Sequence, residues 1–315
     1  MAIMKEFKEK ISEYNGDFVF LIGNGINKFM NNAVSWNDLL MHLIRDKGLQ
    51  LPESLKNVLK GDESKVYLTF PEIFSLANIE WEKQKLPKDN SLKKEIILFF
   101  LKQKKPWASC ALLDYAARTR KNIITTNYDF NIEKVLKINT APTTLPNITD
   151  ISKKSPYYYL FECFTKVDSA KVWHIHGHCG KSSSVKLGID DYSNTFSYIK
   201  ARLFRNGLDH INPADGNQWY GFASCLGPFI TKPLVIAGCG LQSDELLLRQ
   251  LLLYNFRARN IKDTKRSPFP GGIYLSGPQK DKNKKAFLES LGFSFVEFEN
   301  YSDIYNNDIW NKLSC

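Results

Sequence analysis

The sequence predicts an α/β protein with a Rossmann-like parallel sheet, helices on both of its faces and an inserted helical subdomain. Three observations predict it. Short, mainly apolar runs at Phe18–Ile22, Asn122–Thr125 and Pro233–Ala237 have the character of strands buried on both faces. The first and third end in glycine turns, Gly23-Asn24-Gly25 and Gly238-Cys239-Gly240. Between the runs, apolar residues recur at helical spacing, which gives the alternation of an α/β fold. The 315 residues are 43% hydrophobic and 13% aromatic, an ordinary globular composition. No internal repeat or low-complexity linker divides them, so a single domain over residues 1–315 is expected, with a helical insertion at about 50–118.

The elements follow in order. Met4, Phe7, Ile11 and Tyr14 mark one face of a first helix, and Asn15-Gly16-Asp17 stops it. After the first strand, Ser35 caps a leucine-rich helix. Helical faces follow at Leu55, Val58 and Leu59, at Phe70, Ile73, Phe74 and Ala77, at Ile96, Phe99 and Phe100, and at Ala111, Leu112 and Tyr115. This is more chain than one crossover needs. Beyond a polar loop at 140–156, Tyr157–Phe164 reads as a strand or hairpin arm, and Lys171–His178 alternates as a strand. At Leu187–Tyr192 a short apolar segment meets two acids. A helix at Glu245–Phe256, a strand at Gly272–Leu275, a helix at 281–291 and a strand at Phe293–Phe298 complete the pattern.

Composition narrows the function classes. Forty-three basic residues against 33 acidic give a formal charge of +10, which suits a polyanionic partner. The lysines are spread over many segments, as a solvated surface would have them, so direct nucleic-acid binding stays open. No clustered carboxylates of the kind that hold two metal ions support a nuclease. The six cysteines lack any C-x-x-C pair, so no zinc is expected. The opening residues lack the apolar core of a signal peptide, and no run approaches the roughly 18 apolar residues of a membrane span. A cytoplasmic protein with no membrane contact is expected.

Four stretches carry candidate chemistry. Gly23 and Gly25 permit a tight turn and close approach to a phosphate, although Lys28 stands where the third glycine of a dinucleotide fingerprint would be. Thr126, Asn127 and Asp129 follow a strand, where ligands bind in open sheets, and equally suit the cap of the next helix. His174, His176 and His178 alternate on a strand without the accompanying thiols or carboxylates of a metal site. His176, just before Gly177, is the acid/base candidate, since imidazole titrates near neutrality. The second glycine turn, Gly238 to Asp244, supplies small residues on another strand end.

In order and spacing, Gly23-Asn24-Gly25-Ile26-Asn27, Thr125-Thr126-Asn127-Tyr128-Asp129, His174-Ile175-His176-Gly177 and Gly238-Cys239-Gly240-Leu241 resemble the motifs of the sirtuin-like family. The chain looks most like the bacterial sirtuin-like NADases of anti-phage defence systems, over roughly residues 16 to 256. The resemblance implies NAD+ as substrate, cleaved to nicotinamide and ADP-ribose, so that cellular NAD+ is depleted in abortive infection. By it, Asn127 orients water or the nicotinamide ribose and His176 is the base. Gly23, Asn24, Gly25 and Asn27 contact the phosphates, Asp129 sits beside the nicotinamide end, Gly238, Gly240 and Asp244 line the adenosine side, and Thr126 is a further NAD-binding residue. The four-cysteine zinc module of the deacetylating sirtuins is missing, which favours plain NAD+ cleavage. The resemblance also implies control by homo-oligomerisation or by a partner such as a HerA-type ATPase. Two alternatives are a non-catalytic sensor of NAD or ADP-ribose and a DNA-binding or nuclease subunit.

Overall fold

The structure, a computed structural model, describes residues 2–30, 36–53, 56, 68–84, 91–102, 109–138, 141–144, 155–166, 170–203, 220–242, 245–259, 271–278 and 281–313. Its centre is a six-stranded sheet of β1 (Val19–Ile22), β2 (Ile123–Thr125), β5 (Val172–His174), β6 (Leu234–Ala237), β7 (Gly272–Ser276) and β8 (Phe293–Glu297). All neighbours are parallel, and the order is β5-β2-β1-β6-β7-β8. This is the doubly wound Rossmann order, in which the chain builds outward from β1 one way and then returns to build outward the other way. β3 (Thr143–Thr144) and β4 (Glu162–Cys163) form a separate antiparallel pair.

The alternation within β1 explains the two covering layers. Val19 and Leu21 point into one core with Ile124, Trp173, Ile236, Leu226, Phe229, Leu248 and Leu251. Phe20 and Ile22 point into the other, with Ile123, Val172, Val235, Phe7, Leu112, Tyr115 and Trp310. Helices Leu226–Thr231, Leu246–Arg259 and Lys282–Ser290 supply the first layer, and helices Ala2–Glu13, Ala111–Arg118 and Ile309–Lys312 the second. Phe20 packs edge-on against Phe18, Tyr115 and Trp310 with ring centroids 5.3, 6.3 and 5.8 Å away.

Between β1 and β2 run helices Trp36–Lys47, Phe70–Lys83, Leu92–Lys102 and Ala111–Arg118. The last covers the sheet. The others bury Leu39, Leu43, Ile73, Phe74, Ala77, Trp81, Ile96 and Ile97 in a third core, which also takes in Tyr128, Cys179, Val185 and Leu187. That core therefore abuts the segments leaving β2 and β5. The helix faces expected at Leu55, Val58 and Leu59 and the cap at Ser35 lie outside the described residues.

The structure corrects two expectations and adds two elements. The Lys171–His178 run keeps only Val172–His174 as strand, because the Gly177 amide bonds back to the His174 carbonyl (3.1 Å) and turns the chain. Within Tyr157–Phe164 the expected hairpin arm is found only at Glu162–Cys163, because Tyr158–Phe161 form a 3-10 turn that buries four successive large side chains where a strand would turn alternate ones outward. Leu187–Tyr192 runs into a helix, Ile189–Tyr198, whose start is set by the Asp191 carboxylate accepting from the Leu187 and Gly188 amides. Beyond β8, helices Asp303–Asn306 and Ile309–Lys312 carry Tyr305 and Trp310 into the core. Phe20→Ala should destabilise the fold by about 3–5 kcal/mol in urea unfolding, since it empties the centre of an aromatic cluster on the middle strand.

Candidate active site

Where β1 ends, the chain has to turn beside β6, and the strand order reverses between these two strands. The two turns are bound together by backbone. Gly23 N donates to Ala237 O and Gly25 N to Gly238 O, both at 2.9 Å. A Cβ on Gly23 would stand 2.6 Å from Gly238 O, and one on Gly25 2.6 Å from Gly238 Cα. Gly238 has φ +68°, a conformation that side chains resist. Ligands of doubly wound sheets bind at such a reversal point. The helix after the first turn, Gly25–Phe29, has only five residues, so the helix dipole expected to favour a phosphate contributes little.

Asn27 and Asp129 tie the β1 turn to the β2 turn. Asn27 Nδ2 donates to Asn24 Oδ1 (2.8 Å) and Asp129 Oδ2 (2.9 Å), while Asp129 Oδ1 accepts from the Asn131 amide (3.0 Å). Asp129 therefore caps the following turn and holds the loop. Burial raises its carboxyl above the usual carboxylate range. Thr126 is half-buried, and its amide continues the sheet bonding to Ile22 O (3.1 Å). Asn127 is held by its backbone amide to Thr125 Oγ1 (3.1 Å) and by a long contact from Nδ2 to Gly23 O (3.5 Å).

Thr125 and His174 are paired across β2 and β5, so Asn127 and His176 each lie two residues beyond the same rung. His176 is 2% exposed and Asn127 4%. Burial pulls the His176 imidazole down to about 4, which leaves it neutral at physiological pH. Its Nε2 lies 3.8 Å from a Glu245 carboxylate oxygen, beyond hydrogen-bond reach, and its ring is 5.4 Å from that of Tyr192. The neighbouring histidines are committed elsewhere: His174 to Asn127 O and Glu133 (2.6 and 2.7 Å), His178 to Glu162 (3.1 Å). Gly177 (φ +83°) packs so closely on Ser184 O, 2.1 Å from an added Cβ, that no other residue fits. Among the described residues, no group of three or more His, Cys, Asp or Glu side chains is placed to hold a metal ion.

Five buried polar atoms at the carboxyl end of the sheet have no hydrogen-bond partner among the described residues: Asn27 Oδ1, Asn127 Oδ1, His176 Nε2, Ser276 Oγ and Tyr305 OH. Buried polar atoms are rarely left so. They come from the ends of β1, β2, β5 and β7 and from a C-terminal helix, and their acceptors and hydroxyl donors are of the kind a polar ligand satisfies. The Tyr305 hydroxyl stands 2.7 and 2.4 Å from where side chains on Gly25 and Gly238 would begin, and its ring stacks on Phe29 at 5.0 Å. Tyr305, Ser276 and Glu245 escaped the sequence reading. Ser276 carried a signal, a polar residue closing an apolar strand as Thr125 does, whereas Tyr305 belongs to no motif. Gly240 is exposed and meets only the Gln242 side chain, so close packing does not require glycine there. Asp244 lies outside the described residues. An open cleft of about 380 Å³ lined by Phe295, Glu297, Phe298 and Glu299 lies at the β8 edge, apart from this site.

A family model described as a SIR2-like domain matches residues 121–296, more than half of the chain. That match fits NAD-dependent enzymes in general and covers β2, β5, β6, β7 and most of β8. No curated protein matches the chain. No helix among the described residues is long and apolar enough to cross a membrane.

Two measurements probe this geometry. Gly238→Ala should lower stability by about 1–3 kcal/mol, read as a drop in melting temperature, because it forces a side chain into a left-handed turn against Tyr305. A histidine held below its unfolded pKa adds stability that is present above pH about 6.5 and is lost as pH falls toward 4. His176→Gln should therefore show a shallower fall in melting temperature than wild type between pH 6.5 and 4.

Proposed function

Because the chain belongs to the SIR2-like, or sirtuin-like, family, we propose that it is an NAD+ hydrolase that releases nicotinamide and ADP-ribose. The observation that carries this reading is the alignment of Asn127 and His176 two residues beyond one rung of adjacent strands, each ending in an unbonded buried polar atom. Glycine turns stand beside them, where the strand order reverses.

Breaking the bond between ribose C1′ and the nicotinamide nitrogen sends its electron pair to the ring, which leaves as neutral nicotinamide, while positive character develops on the ribose. A water molecule adds to C1′ and gives up a proton. His176, neutral at physiological pH, has an Nε2 without a hydrogen-bond partner among the described residues, and that nitrogen accepts the proton. Asn127 Oδ1 holds the water or a ribose hydroxyl. Gly23, Gly25 and Gly238 let backbone approach the phosphates, and Asn27, fixed by Asp129, supports that loop.

The near-complete burial of His176 and Asn127 supports a resting enzyme that a trigger opens. We take that trigger to be homo-oligomerisation or a partner, such as a HerA-type ATPase, in a system that depletes NAD+ to abort phage infection. The exposed Leu76, Ile79, Leu98 and Leu101 on the helices between β1 and β2 favour that region as the contact surface. The same burial also suits a sensor that binds NAD+ without turning it over.

Incubation of purified protein with NAD+, with nicotinamide and ADP-ribose quantified, tests the reading. In its triggered assembly, wild type should form both products in equal amounts. His176→Ala and Asn127→Ala should each lower the rate about 10²–10⁴-fold while the protein remains folded. NAD+ binding with no product in any assembly state would favour the sensor.

A further inference from the structure

Two buried side chains near the site have no part in the proposed chemistry, yet one of them bonds directly to Asn127. His174, the last residue of β5, and Glu133, on the short helix Asn131–Val135, are 1% and 0% exposed. His174 Nδ1 lies 2.6 Å from the Asn127 carbonyl oxygen, and its Nε2 lies 2.7 Å from Glu133 Oε1. A carbonyl oxygen only accepts, so Nδ1 carries a proton. Nε2 faces a carboxylate, and one further proton lies between them. The pair is thus a proton-sharing dyad whose one outward hydrogen bond among the described residues is aimed at the backbone of Asn127.

We propose that the His174–Glu133 dyad is a positioning device that fixes the Asn127 peptide and so directs the Asn127 side chain toward the substrate. The proposal rests on the reading that Asn127 acts on NAD+. Ordinary sheet bonding ends just before this point, with Ile175 N donating to Thr125 O (2.9 Å). Beyond it, Asn127 is clamped at both ends of its backbone, the amide by Thr125 Oγ1 and the carbonyl by His174, while Oδ1 is left unbonded. The next carbonyl, of Tyr128, is taken by the Cys179 amide at 2.7 Å.

Stability alone is a weak reason for such a pair, because a buried ion pair can often be replaced by apolar residues of similar volume without loss. The surroundings are suited to apolar packing, with Phe130 and Phe164 rings edge-on to His174 at 5.5 and 5.3 Å. The ionisable groups facing His174 are Glu133, Asp129 and His178. Burial opposes charge on His174, but Glu133, the Asn127 carbonyl and Asp129 together outweigh it and hold the imidazole above its usual range.

Asparagine and glutamine imitate different halves of the ring. His174→Asn presents an amide near Nδ1 and keeps the bond to Asn127 while releasing Glu133. His174→Gln reaches toward Glu133 and abandons Asn127. If the dyad positions Asn127, His174→Gln should lose about 10²-fold in kcat with KM within about threefold, and His174→Asn should keep kcat within about fivefold at a similar loss of melting temperature. Equal losses of kcat in both variants would overturn the proposal.

A second readout does not depend on turnover. In NMR spectra the Asn127 side-chain amide should give one sharp pair of signals in wild type and in His174→Asn, and broadened or multiple signals in His174→Gln. In ¹⁵N-histidine-labelled wild type, His174 should carry a proton on Nδ1; its absence overturns the proposal even if neither variant folds. Wild type that forms no product while the Asn127 signals behave as expected would count against NAD+ hydrolysis and leave the positioning intact.

Discussion

The contact between two glycine turns, closed by the hydrogen bond from Gly25 N–H to Gly238 O, is the constraint from which the site follows. Parallel strands β1 and β6 lie side by side, and their exits have to share one small space. With side chains there, the turns would be driven apart by backbone clashes at 2.6 Å. Because they touch, Gly23 O comes within reach of Asn127, and Tyr305 reaches the gap from the far side of the sheet's end. The site is the by-product of how tightly these backbones approach.

Hydrogen bonding divides the residues around this point into two kinds. One kind is satisfied by protein: Asp129 by Asn27 and the Asn131 amide, His178 by Glu162, His174 by Glu133 and Asn127. The other kind presents atoms that no described residue satisfies, on Asn127, His176, Ser276 and Tyr305. Leaving such atoms buried costs on the order of 1–3 kcal/mol each. A fold accepts that cost readily where a ligand will supply the missing partner. The division also explains why three histidines in alternation do not behave alike, since only His176 lacks a bonded partner.

Much of this was legible in the sequence, for physical reasons that can be named. β1 and β6 are apolar on both faces because helices cover both, and each meets glycine where the backbone turns sharply. The place of Asn127 and His176 at strand exits followed from where the apolar runs stop. Less visible were elements whose conformation tertiary packing decides. Tyr158–Phe161 has strand-like residues but coils into a 3-10 turn to bury all four, and Lys171–His178 alternates past the point where Gly177 has already turned it. Tyr305 was invisible for a different reason: it enters the site from a four-residue helix with no periodic signal of its own. The commitment of His174 to Glu133 spans 41 positions along the chain, and no local pattern reports it.

The Tyr305 hydroxyl stands where side chains on Gly25 and Gly238 would begin, and it is delivered by a segment beyond the residues that the family model matches. A ligand seated against these turns would meet that hydroxyl, so its binding and the docking of Asp303–Asn306 would be linked equilibria, each shifting the other equally. A change confined to Asp303–Asn306 would then alter affinity for such a ligand while leaving Asn127 and His176 as they are.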